Sequence, residues 1–200
     1  PFFKDRVGPE TVAGMTRVIS LLRRQTALPL GVNVLRNDGM SALAIAAACE
    51  CQAVRVNQVA WAMLTDQGII EGRAAELTRF RRALGAETLI FADCLVKHAV
   101  PLAAQSMETV ALDTWERGGA DALVISGVAT GRPTDQADVL AARRGAPDAP
   151  LLIGSGATLD NLDVFLPISQ GILVGTWFKV DGRVANPVDP DRVRAFIHKR

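Results

Sequence analysis

Two short apolar runs late in the chain, Leu151-Leu152-Ile153 and Ile172-Leu173-Val174, each stop at a glycine and a small hydroxyl residue. The turns that follow are Gly154-Ser155-Gly156 and Gly175-Thr176. Glycine lets the backbone turn sharply and come close to a ligand, so that successive N–H groups can converge on an anion. Thr158 stands where it could cap a helix over TLDNLDVFL, and helix starts favour negative charge. Either turn alone is also an ordinary tight connection between a strand and a helix. Two of them in successive units make Gly154, Ser155, Gly156, Gly175 and Thr176 a candidate phosphate clasp.

Polar residues recur wherever an apolar run ends. They are Asn33 and Arg36, Arg55 and Asn57, Asp93 with Lys97 and His98, and Ser126 with Thr130 and Gly131. Side chains alternate between the two faces of a strand, so Asn33, Arg55 and Asn57 share a face of their sheet. An arginine on an inner face must be paired or must hold an anion, because an unpaired buried charge is costly. Two readings stay open. Arg55 and Asp93 could form an ion pair that only ties neighbouring strands together. Alternatively, Asp93 is a general base or an orienter while Arg55 binds substrate. Lys97 is a candidate base or Schiff-base former if burial lowers its pKa, and His98 a candidate proton carrier. The stretch from Ala60 to Gly72, with Asp66 and two glycines, predicts a long connection suited to a lid or substrate contact.

Positioning these residues takes a regular scaffold, and the chain supplies one. A helix is expected from Pro9, with Val12, Met15, Val18, Ile19, Leu21 and Leu22 near helical spacing. Six strand–helix units then alternate, with strands expected near Leu28–Leu35, Ala53–Val59, Thr88–Ala92, Ala122–Ser126, Leu151–Ile153 and Ile172–Val174. Strict alternation of this kind implies a parallel sheet covered by helices, an α/β fold. No glycine-rich fingerprint follows the first strand, as a doubly wound nucleotide-binding sheet would usually show. Polar residues at nearly every strand end fit the TIM (β/α)8 barrel, whose active groups come from many strand ends around one mouth. On that reading residues 1–200 form a single barrel domain that is incomplete at its N-terminal side, with two βα units upstream of Pro1.

Composition narrows the partners. A formal net charge of +1 and 22% charged residues give no electrostatic case for nucleic acid. The longest apolar run is too short for a transmembrane segment. The cysteines, Cys49, Cys51 and Cys94, suggest no disulfide framework, and with only two histidines they make a poor metal site. The expectation is a cytoplasmic protein with no cofactor and no metal, binding a phosphorylated small molecule. An open six-strand sheet would also need its edges covered, which favours a homo-oligomer.

GVNVLRND (Gly31 to Asp38), RVN (Arg55 to Asn57) and TDQGIIEG (Thr65 to Gly72) carry a family resemblance, as do IFAD followed by VKHA (Ile90 to Ala99), VGT and NPVD. Together they closely resemble the BtpA/SgcQ family across essentially the whole chain. The resemblance implies a TIM barrel with two further βα units ahead of a segment similar to PFFKDRV. It also implies one of two activities. Cyanobacterial members are linked to photosystem I biogenesis as peripheral thylakoid membrane proteins, and an enterobacterial branch is described as nucleosidase-like or sugar-related. No catalytic set is carried over from it.

Overall fold

The computed structural model describes residues 2–96, 98–127 and 133–199. In chain order the elements are α1 (Pro9–Arg23), β1 (Gly31–Asn33), α2 (Gly39–Ala48), β2 (Ala53–Val56), β3 (Ala62–Thr65), β4 (Gly68–Glu71), α3 (Ala74–Ala83), β5 (Leu89–Asp93) and β6 (Ala99–Pro101). They continue with α4 (Met107–Glu116), β7 (Ala122–Ile125), α5 (Gln136–Gly145), β8 (Leu151–Ile153), α6 (Leu162–Phe165), β9 (Gly171–Ile172) and α7 (Pro190–His198). Side-chain caps fix several helix starts. Asp38, Ser106, Asp135 and Asp189 each accept a backbone N–H from the first turn of α2, α4, α5 and α7.

Six strands form one parallel sheet in the order β1-β2-β5-β7-β8-β9, which follows the chain without a reversal. A doubly wound sheet reverses its strand order at a switch point; this one winds in a single direction, as the arc of a barrel does. Alternation assigns the faces. Val32, Val54, Ile90, Leu123, Ile125, Leu151 and Ile153 are at most 2% exposed and pack against the helices in one core. The other face carries smaller, polar or half-exposed residues, and Leu89 there is 44% exposed. From α1, Val12, Met15 and Ile19 reach the core, while Val18, Leu21 and Leu22 are exposed.

The stretch from Ala60 to Gly72 is not a loop. It holds the antiparallel hairpin β3–β4, and β6 adds to it as a third strand, with Thr65 opposite Gly68 on one side and Ala99 on the other. Met63, Ile70 and Val96 form a small apolar cluster of their own under this sheet. Asn37 sews the hairpin to the segment after β2: its Nδ2 donates to Gln58 O at 3.0 Å and Glu71 O at 3.2 Å, and its Oδ1 accepts from Gln58 N at 2.8 Å. Thr158 caps no helix. Its N–H donates to Asn161 Oδ1, and the helix that comes next, α6, is four residues long. The side-chain amide of Asn161 also holds Gly156 O, so residues 156–161 close into a compact turn instead of a first helical turn.

Gly154 is required by close approach at the end of β8. A Cβ there would strike Ser126 Oγ and lie 2.6 Å from Val124 Cγ1, both on β7 or at its end. Gly154→Ala should destabilise the protein by about 1–3 kcal/mol, the usual cost of forcing extra volume into packed structure. Urea denaturation checks this; an unchanged midpoint would mean that the two strand ends separate freely.

Candidate functional site

The residues brought together lie at the carboxyl ends of β1, β2, β5 and β7. Arg55 lies on β2 opposite Phe91, and Asp93 follows two residues later on the same face of β5. Arg55 Nη2 donates to Asp93 Oδ1 at 2.7 Å and Nε to Oδ2 at 3.2 Å, a two-pronged ion pair in which the side chains are 23% and 2% exposed. Asn57 Nδ2 donates to Asp93 Oδ2 at 2.7 Å. Ser126 Oγ stands 3.5 Å from both Asp93 Oδ1 and Arg55 Nη2. Asn33 Nδ2 donates to Arg55 O at 2.9 Å and Asn57 Oδ1 at 3.3 Å, which orients the Asn57 amide toward Asp93. Five of the expected residues, Asn33, Arg55, Asn57, Asp93 and Ser126, thus form one network.

The network decides how Asp93 can act. Its oxygens face a guanidinium and an amide, and the side chain is buried behind Arg55. Such a carboxylate orients the arginine. Arg55, with the larger exposure, reaches the open side. Cys94, next in sequence, is 1% exposed. Burial, and then the neighbouring Asp93 charge, push its thiol well above the ordinary value, so it stays protonated and is no nucleophile.

Arg55 and Asn33 also line a cavity of about 980 Å3 on the inner face of the arc. Leu89 and Phe91 contribute to its wall, and both glycine turns close one end of it through Gly154, Ser155, Gly156, Gly175 and Thr176. Not every group of the turns is available to a ligand. Gly154 N–H is spent on Ile125 O at 2.7 Å, and Ser155 Oγ accepts Gly127 N–H at 2.9 Å, tying the loops after β7 and β8. Buried Thr134 reinforces that tie by donating to both Ile125 O and Ser155 O. The amides of Gly156, Gly175 and Thr176 donate to no acceptor among the described residues. Gly156 has φ +70°, a turn conformation that other residues adopt at a cost. Gly175 has an ordinary negative φ.

The remaining expected residues lie elsewhere. Arg36 is buried, with its guanidinium 6.0 Å from the Phe2 ring, and it does not line the cavity. Asp66 is exposed at the tip of the β3–β4 hairpin and also lies off the cavity. His98 is exposed at the start of β6, where the strand register sets it beside that tip. Lys97, Thr130 and Gly131 lie outside the described residues. Two residues outside the candidate set line the cavity as well: Phe91, which strand parity with Arg55 points to, and Trp177, next to Thr176.

No group of three His, Cys, Asp or Glu side chains among the described residues could hold a metal ion. No helix there is long and apolar enough to cross a membrane. A family model described as the BtpA family matches residues 1–200. The chain belongs to the BtpA family. It is 45% identical over 197 residues to the photosystem I biogenesis protein BtpA of Synechocystis, covering 98% of this chain and 69% of that one. It is 48% identical to an uncharacterized protein of Thermococcus kodakarensis, covering 98% and 73%, and 32% identical to the sgc region protein SgcQ of Escherichia coli, covering 98% and 73%. Among solved structures, N-(5'-phosphoribosyl)anthranilate isomerase from Pyrococcus furiosus superposes with a TM-score of 0.60 at 12% identity, covering 100% of this chain and 98% of that one. A structure titled native KDPGal superposes with a TM-score of 0.56 at 16% identity, covering 96% and 76%. At such identities the likeness is one of fold: this BtpA-family chain shares an α/β arc of parallel strands with them.

Removing Arg55 leaves the Asp93 carboxylate buried without its counter-charge. Arg55→Ala should cost about 3 kcal/mol, the low end for breaking a buried pair because Arg55 keeps part of its side chain exposed. Arg55→Met combined with Asp93→Leu should recover most of that loss. Thermal unfolding of the single and double variants checks it; an Arg55→Ala variant as stable as the parent would show that the pair does not hold the strands.

Proposed function

We propose that this protein binds a phosphorylated small metabolite in the inner cavity and acts on it by acid–base chemistry at the carboxyl ends of the strands. The observation that carries the proposal is the meeting, in one cavity, of the Arg55 guanidinium with two turns whose Gly156, Gly175 and Thr176 amides have no acceptor among the described residues. Converging amides and a guanidinium are what a phosphate needs. A further support is the name of a structural neighbour, which describes a phosphoribosyl substrate held by the same kind of fold. In this proposal Arg55 grips the anion, and Asp93, Asn57 and Ser126 hold Arg55 in position. The proton is carried by Lys97, which follows β5 in sequence. The metabolite is a sugar phosphate or nucleoside derivative.

A second reading rests on the 45% identity to a protein named for photosystem I biogenesis: a non-catalytic assembly factor at a membrane surface. Both readings keep a ligand in the cavity, and only the first requires turnover.

Inorganic phosphate at about 100 times its Kd should stabilise the fold by about 2.7 kcal/mol, raising Tm by about 5–10 °C for a chain of this size. Arg55→Met, compared at its own baseline, should lose most of that shift. Differential scanning fluorimetry with phosphate and sulfate against chloride at equal ionic strength reads it. No anion-specific shift in the parent at tens of millimolar would overturn the proposal.

A further inference from the structure

Trp177 stands directly after the second turn and is among the residues that line the cavity, beside the amides that would hold a phosphate. Its ring is held by three neighbours. Arg192 lies over it, with Cζ 5.1 Å from the ring centroid, and the guanidinium is itself pinned because Nη1 donates to Trp177 O at 2.8 Å and Lys179 O at 3.2 Å. Phe196 packs against the indole at 5.5 Å between centroids and Phe178 at 6.1 Å, and these two rings contact each other at 5.3 Å. A ring already held in one orientation loses little further freedom when a flat partner stacks on it. Phe91 lines the same cavity next to Arg55, and the wall between them is largely aliphatic. A sugar phosphate alone, polar throughout, would leave that wall uncovered.

We infer that Trp177 is a specificity-determining platform, and that the ligand is a monophosphate ester whose organic part carries a planar, unsaturated ring. The ring lies against the indole while the phosphate meets Gly156, Gly175, Thr176 and Arg55. This rests on the phosphate reading above and narrows it from phosphorylated metabolites in general to those with a ring that can stack. Arg192 and Phe196 are positioning residues that hold the indole in place.

Three probes separate the two ideas in the parent protein: inorganic phosphate, ribose 5-phosphate and phenyl phosphate, each titrated by calorimetry. Phenyl phosphate should bind at least about tenfold more tightly than the other two, the order of gain that stacking on one aromatic side chain gives. Trp177→Leu should bring phenyl phosphate to within about threefold of ribose 5-phosphate while leaving inorganic phosphate unchanged, and Trp177→Phe should keep most of the advantage. Equal affinities for the three probes in the parent, which needs no variant to fold, would overturn the inference and leave the phosphate reading intact. An advantage that survives in a folded Trp177→Leu would also overturn it. Failure of all three probes to bind would overturn the phosphate reading, and this inference with it.

Discussion

A guanidinium on the inner face of a parallel sheet is tolerable only when something answers its charge, and the rest of the site follows from how Asp93 does so. The two residues lie on adjacent strands, β2 and β5, offset along the strands so that the carboxylate sits beyond the arginine toward the strand ends. Asn57, Asn33 and Ser126 complete the hydrogen bonding around the pair. The pair fixes the register of two strands and at the same time holds a cationic group at the wall of a cavity. The structural and functional readings of Arg55 and Asp93 are therefore two consequences of one geometry. Asp93 supplies the strand tie and the orientation, and the exposed part of Arg55 supplies the charge.

Single-direction winding is what lets residues so far apart in sequence act together. Each successive strand adds beside the last, so the loops after β7, β8 and β9 gather at the same end of the arc as Asn33 and Arg55. The loop ends are themselves held by hydrogen bonds: Ser155 to Gly127, Thr134 to Ser155 and Asn161 to Gly156. Amides left over from such a braced turn keep fixed directions, which suits anion binding without a long helix at that place.

Much of this was legible in the sequence because a strand's period of two is a local property. Parity alone put Asn33, Arg55 and Asn57 on one face, and the apolar partners Val54 and Val56 on the other. The alternation of strands and helices, and the absence of a fingerprint glycine loop, pointed to winding in one direction. What escaped notice depends on contacts between distant segments. The hairpin at Ala62–Thr65 and Gly68–Glu71 reads as a connection because its strands are four residues long and its third strand, Ala99–Pro101, comes from beyond β5. Thr158 looks like a cap until the Asn161 side chain claims its N–H. Ser155 also serves the scaffold, its Oγ accepting Gly127 N–H. Trp177 carried no signal except its position after Gly175-Thr176.

A phosphate bound in the cavity belongs between Arg55 and the two turns. A crystal structure of the protein grown or soaked with phosphate tests it most directly. Density for the anion should appear within hydrogen-bonding distance of the Gly156, Gly175 and Thr176 amides and of the Arg55 guanidinium, with the Arg55–Asp93 pair intact. Phosphate bound only at other places while these amides face solvent, or Arg55 turned away from the cavity, would contradict it.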